Sequence, residues 1–384
     1  MINENEMHLP VNWVDGMNIN KKHFIAQENS FVKNSMGLAN LSVSPLSFGL
    51  VRSEADFLWM DIDNDLQLLV NFKPVDVIFP SGFQYRIVDG KEFKKEFTCD
   101  LPNTESDAVY YVVLSVDPFS RQPIGMADVA ESPIRKPFVT SEMKISIVEE
   151  NELSEMLLGL NHLVIGRITK FEATWTVDTD YIIASTFVSS NQNLFDVYKK
   201  VEIYLSSIER FSSSIINKIR LKKQDNPLAK ALNEICCKLL DFMSVSLSKY
   251  RISTPYGAPV EMVILVMDLA RIVKNSLDGW QGCGRDEFMT YISDWCNINE
   301  AEFEDALSQV IKHRYDHNKI DFSVEKIVSL LSLLEQMLHT LSGLDYIGKK
   351  IETDLFVKEE TLMEEEIEGS TTAKKKRPFF FGKE

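Results

Sequence analysis

The spacing of apolar and polar positions changes period near residue 190. Before that point, short apolar runs are cut by turn residues, the pattern of strands. The runs lie at 47–51, 75–79, 110–116, 144–148 and 162–168. Pro80-Ser81-Gly82, Asp89-Gly90, Asp117-Pro118 and Gln122-Pro123 punctuate them. This spacing predicts an antiparallel β-sandwich, with one helix ahead of it over about 21–38. Beyond residue 190 the apolar positions recur every three or four residues, as helices require. Leu194, Tyr198, Val201, Leu205, Ile208, Ile215 and Ile219 form one such series, with Ser212 interrupting it. Asp225-Asn226-Pro227 restarts a helix through Leu228, Leu232, Ile235, Leu239 and Phe242. A third helix starts at Pro259, Gly282-Cys283-Gly284 breaks it, and two shorter ones follow to about His313. The last carries Val324, Ile327, Leu331, Leu334, Leu338 and Leu341, a heptad seam. Such seams serve a bundle within one chain or a pairing between chains.

The predicted fold class is therefore α+β. A sandwich shell over 1–190 leads into a helical bundle over 191–350 and a flexible charged tail over 351–384. In the tail, Glu364-Glu365-Glu366 precede Lys374, Lys375, Lys376, Arg377, Pro378, Phe379, Phe380 and Phe381. Three consecutive Phe are costly in water at ~25 cal/mol per Å² of apolar surface. This tip reads as a docking motif for a partner, or as a segment that folds back on its own bundle.

Charge narrows the partners. The formal net charge is −16, from 57 acidic and 41 basic side chains, and a surface of that sign repels nucleic acid. Five cysteines in 384 residues give no disulfide framework, which points to a reducing compartment. With neither a basic-then-apolar start nor an apolar run of ~20 residues, a cytoplasmic location is expected.

Chemical motifs are sparse. The chain has no nucleophile elbow, no phosphate loop ending in Gly-Lys-Ser/Thr and no C-x-x-C pair. Asp61, Asp63 and Asp65 alternate like calcium ligands, but Leu66 and Phe72 stand where that loop needs Gly and Glu. They read as the solvated end of a strand. His313 and His317, spaced to share a helix face, are the candidate pair for a metal-dependent enzyme. Cys283 and Cys296 lie too far apart to complete a zinc knuckle, and Asn318-Lys319 read as a helix end. Cys236 and Cys237 are read as packing residues. The expected protein binds no cofactor or small-molecule substrate and catalyses nothing.

Val11-Asn12-Trp13-Val14-Asp15-Gly16-Met17, Ile19, His23-Phe24 and Gln27-Glu28 resemble the opening of the TssK family, baseplate components of type VI secretion systems. Further pieces follow in the same order: Pro45-Leu46-Ser47-Phe48-Gly49-Leu50, Phe79-Pro80-Ser81-Gly82-Phe83, Gly166-Arg167-Ile168, Asp180-Tyr181-Ile182 and Tyr315-Asp316-His317. The resemblance covers most of residues 8–345. It implies a homotrimer whose shell, like the shoulder of phage receptor-binding proteins, binds the wedge proteins TssF and TssG, and whose helical bundles form a neck. It also implies a structural role for the His313/His317 segment. Family members continue into a head that grips the membrane complex. Here the charged tail follows the leucine helix instead, so a headless branch is expected, with Lys374–Phe381 docking a membrane-side or baseplate partner. A phage-type receptor-binding protein is the alternative of the same fold.

Within the opening motif, Trp13 and Phe24 are the aromatic anchors for a partner, with Gly16 supplying a tight turn. Asp15, Met17, His23 and Gln27 complete the expected wedge-binding set. The alternative places Trp13 and Phe24 over the sandwich's own core, with Asp15 capping a turn.

Overall fold

Antiparallel pairing organises the strands of the N-terminal half. The computed structural model describes residues 8–54, 56–88, 96–104, 106–156, 159–172, 174–281 and 284–348. Helix α1 (Lys21–Ala39) leads. It is followed by β1 (Gly49–Ser53), β2 (Leu58–Ile62), β3 (Gln67–Phe72), β4 (Val75–Ile78), β5 (Gln84–Ile87) and β6 (Glu96–Asp100). Then come β7 (Ala108–Ile124), β8 (Phe138–Glu149), the short helix α2 (Glu150–Met156), β9 (His162–Phe171) and β10 (Thr174–Val177). The strands form three sheets in the orders β1-β4-β5, β2-β3-β6 and β10-β9-β7-β8.

Alternation sets which faces meet. Leu68, Val70 and Phe72 point inward from β3, as do Val75 and Val77 from β4. Tyr110 to Leu114 of β7 are all buried, so the central strand of the largest sheet is covered on both faces. These residues share one core with Phe48, Phe79, Leu163 and Ile168. The result is an antiparallel β-sandwich.

The prolines of β7 correct the expected breaks. Asp117-Pro118 and Gln122-Pro123 do not end the strand, which runs on to Ile124. The pairing with β8 instead jumps from Asp117↔Glu142 to Gln122↔Thr140, so residues 118–121 are taken up in a bulge. Proline costs no ladder bond in a bulge, and at Pro123 β7 pairs with β8 but not with β9. Ser120 closes the bulge, its Oγ donating to the Asp117 carbonyl and accepting from Glu142 N–H.

The predicted helices follow: α3 (Gln192–Leu221), α4 (Pro227–Ser253), α5 (Val260–Asp278), α6 (Arg285–Cys296), α7 (Glu300–Ile311) and α8 (Ile320–Gly343). Asn191, Asn226 and Asn299 accept from backbone N–H groups in the first turns of α3, α4 and α7, which is why these helices start where they do. The series beginning at Leu194 is buried throughout, against Leu232, Leu239, Val266, Leu331 and Leu338. The heptad seams therefore close within the chain. Ser212 is also buried, facing the Cys236 thiol, so the small residue admits the close approach of α4. Burial pushes that thiol up to about 12, as befits a packing cysteine. Among the described residues no helix is long and apolar enough to cross a membrane.

Candidate functional site

The opening motif folds onto the outside of the sandwich. Gly16 sits at φ +78 in a tight turn in which Met17 N–H donates to the Val14 carbonyl. A side chain there would meet nothing within 4 Å, so the glycine serves backbone conformation and not packing. Asp15 is exposed at this turn and Met17 is half-buried. The turn delivers the chain to Asn20, whose Oδ1 accepts from Lys22 N–H at 2.9 Å. His23 completes the cap, its Nδ1 accepting from Asn20 N–H at 3.3 Å. His23 thus holds the start of α1 as the N3 residue of a capping box, where glutamate is the usual occupant.

Gln27 ties the two segments together. Its Oε1 accepts from Val11 N–H at 3.2 Å and from the Trp13 indole at 3.4 Å. Trp13 then lies over α1 with its ring 6.1 Å from His23 and 6.2 Å from Phe24. Four of the residues singled out in the sequence form one cluster: Trp13, His23, Phe24 and Gln27. The alternative that Trp13 and Phe24 cover the sandwich core is corrected here, since both are exposed.

The apolar surface extends beyond this cluster. Phe24, Phe31 and Leu38, seven residues apart, are 58%, 61% and 70% exposed on one side of α1. At 1.5 Å per residue the stripe runs for roughly 20 Å. Leu9, Val14 and Ile19 are exposed beside its start and Leu41 beyond its end. Ser30 and Met36 are buried away from the stripe, and beside it an Arg121–Glu28 ion pair holds the helix to the bulge of β7. At its far end α1 rests on the β4–β5 turn. Any Cβ on Gly82, at φ +80, would fall 2.5 Å from the Met36 carbonyl oxygen. The helix therefore presents a line of exposed apolar side chains, Phe24, Phe31 and Leu38, with Gln27, Glu28, Asn34 and Ser35 between them, and such side chains are what partners cover.

The His313/His317 pair takes a different form from the metal site weighed above. Helix α7 ends at Ile311 and α8 starts at Ile320, so the pair lies in the connecting loop with no shared helix face. His317 is buried; its Nε2 lies 3.0 Å from the Phe48 carbonyl oxygen and its Nδ1 2.8 Å from the Tyr315 hydroxyl. With Tyr315 donating to Nδ1, the Nε2–H donates to Phe48. Burial holds this imidazole at about 4, so it is neutral near pH 7. His313 turns elsewhere, to Ser323 and Lys326. Each imidazole is committed to its own partners: His317 works as a clasp between the β1 end of the sandwich and the helices, while His313 bonds only within the helical half.

Arg167 of β9 reinforces that clasp. It bridges Asp178 at 2.6 Å and Asp321, in the first turn of α8, at 2.7 Å, and lies over the rings of Tyr181 and Phe322. Burial pushes the Asp321 carboxyl up, because one guanidinium shared with Asp178 only partly offsets the loss of water. Lys319 pairs with Glu150 at 2.7 Å beside it.

The remaining sequence candidates fall as follows. Lys374, Lys375, Lys376, Arg377, Phe379, Phe380 and Phe381 lie outside the described residues, as do Gly282 and Cys283. Asp61 closes β2, while Asp63 accepts from Asp65 and Gln67 N–H groups to shape the β2–β3 hairpin. Its carboxylate is spent on the turn. Among the described residues, no group of three or more His, Cys, Asp or Glu is placed to hold a metal ion.

The chain is similar to solved structures of TssK. A crystal structure of TssK overlaps it with 13% identity and a TM-score of 0.49, covering 86% of this chain and 69% of that one. The TssK-TssF-TssG baseplate subcomplex of the type VI secretion system, solved by cryo-electron microscopy, gives 15% identity and 0.48 over 85% and 98%. TssK from the type VI system of EAEC, solved with nanobody nb18, gives 14% and 0.44 over 82% and 98%. No protein-family model and no curated protein matches the sequence.

Sequence reasoning had missed Phe31 and Leu38. Their signal was legible as the seven-residue spacing from Phe24 within the helix expected over about 21–38. A helix with a single apolar line presents the same pattern whether that line packs inward or outward.

Proposed function

We propose that this chain is a TssK-type baseplate adaptor that catalyses nothing and works through its N-terminal face. The observation that carries the reading is the exposed Trp13–Phe24–Phe31–Leu38 surface, with Trp13 pinned by Gln27. The ordered motifs along the chain support it. TssK has been solved with TssF and TssG, and the corresponding wedge proteins are the proposed occupants of this face. The proposed assembly is a homotrimer at the cytoplasmic side of the inner membrane, its helical bundles forming the neck.

The magnitudes suit such a role. Fully burying a large apolar side chain contributes about 1.5–3 kcal/mol, so three partly exposed ones supply roughly 3–5 kcal/mol. That is about 10²-fold to several thousand-fold in affinity. The test mixes purified chain with the wedge pair and follows mass by light scattering. Trp13→Ala and Phe24→Ala should each lower wedge affinity at least tenfold with an unchanged melting temperature. A chain that stays monomeric and ignores both wedge proteins, or variants that bind as well as the parent, defeats the proposal.

A further inference from the structure

The helical half carries an unfilled groove of its own. Between α4 and α5 lies a cleft of about 220 Å³ lined by Phe242, Val245, Lys249, Glu261, Ile264 and Asp268, among others. Val245 is 76% exposed and Ile264 49%, although both sit between helices whose neighbouring apolar residues are buried. Ile252, two turns beyond Val245 on the same side of α4, is exposed too. The cleft is smaller than the 300–1,000 Å³ of ordinary small-molecule sites, which suits one or two side chains of a polypeptide. Its charge is mixed but net acidic. Glu261 and Asp268 have no ion-pair partner among the described residues, against the single cation of Lys249.

The chain contains a segment of matching chemistry. Lys374-Lys375-Lys376-Arg377 places four cations immediately before Pro378 and three phenylalanines. The starting point of that segment is fixed. Ile347 N–H donates to Gln224 and its carbonyl accepts from Asn226, while Lys218 donates to the Leu344 carbonyl, so the chain passes Gly348 at the start of α4. From there to the cleft is roughly 30 Å along α4 at 1.5 Å per residue. About thirty residues separate Gly348 from Phe379, which reach up to roughly 100 Å.

We infer that the α4–α5 cleft is the docking site for the Lys374–Phe381 tip of the same chain, with phenylalanine rings against Val245 and Ile264 and the basic run beside Glu261 and Asp268. This inference does not depend on the baseplate reading. Tethering raises the local concentration of the tip at its own cleft, so modest contacts suffice to hold it.

The test uses the full-length chain with a benzophenone amino acid in place of Phe380, irradiated at low concentration and mapped by mass spectrometry. The expected product is an intrachain link to peptides within 242–268. Val245→Glu with Ile264→Glu should lower its yield at least fivefold without moving the melting temperature, because both side chains face water. Glu261→Lys with Asp268→Lys should lower it comparably, and reversing Lys374, Lys375, Lys376 and Arg377 to Glu in that background should restore it. Links to another surface, to a second copy or to a partner protein, no link at all, or indifference to the cleft variants would overturn the inference.

Discussion

Removing the His317 imidazole should flatten the acid dependence of stability. The ring is 3% exposed, stacked edge-on against Phe48 with centroids 4.6 Å apart, and both nitrogens are bonded. In the unfolded chain an imidazole titrates near ~6.5; here burial holds it at about 4. The folded protein therefore binds fewer protons than the unfolded one between these values. The contribution of neutral His317 is complete above about pH 6.5 and is lost as pH falls towards about 4. At ~1.4 kcal/mol per unit, the full loss is about 3 kcal/mol, of which about 2 kcal/mol has gone by pH 5. His317→Gln keeps a donor for the Phe48 carbonyl but has no proton to gain. It should cost about 1–2 kcal/mol at neutral pH through the lost bond to Tyr315 and poorer packing. Urea denaturation of both proteins at about pH 7 and pH 5 measures the difference. The difference between the two stabilities should shift by about 2 kcal/mol on acidification, closing or reversing the gap seen at neutral pH. Burial also lowers His162 and His313, but these titrate in both proteins and cancel. Parallel losses in the parent and in His317→Gln would refute the buried, neutral clasp.

Other substitutions probe the same frame. Arg167→Leu strands Asp178 and Asp321 and should cost about 3–5 kcal/mol in denaturant midpoints at neutral pH. The deficit should shrink at acid pH, because burial already favours the protonated form of Asp321. Gly49→Ala should prevent stable folding or cost about 3 kcal/mol or more, since its Cβ would lie 1.9 Å from the Ala184 carbonyl oxygen at φ +100. By contrast Gly37→Ala, in α1 with nothing within 4 Å, should raise stability by about 0.5–1 kcal/mol. Phe31→Glu should change unfolding free energy by less than about 0.5 kcal/mol while abolishing wedge binding in a pull-down. A large drop in its melting temperature would show that α1 buries this face within the chain.

Periodicity alone determined much of the architecture. The steps of three and four residues from Leu194 to Leu341 marked the helices, and Asn226-Pro227 marked where one of them begins, while the caps at Asn191 and Asn299 emerged only in the structure. Strand positions came from short apolar runs in the same way, because both kinds of element follow from local geometry. The bulge that swallowed Pro118 escaped notice, since proline is excluded only where a ladder needs its missing N–H, and ladders are made by distant partners. The same limit applied to the candidate surfaces. Spacing put Phe24, Phe31 and Leu38 on one line, and His313 with His317 at helical register. Only the packing of α1 against the Gly82 turn left that line facing water. Only the end of α7 at Ile311 put the histidines in a loop, where Phe48, 269 residues away in sequence, takes one of them. A periodic pattern says which residues share a side; which side is buried depends on what the rest of the chain brings against it.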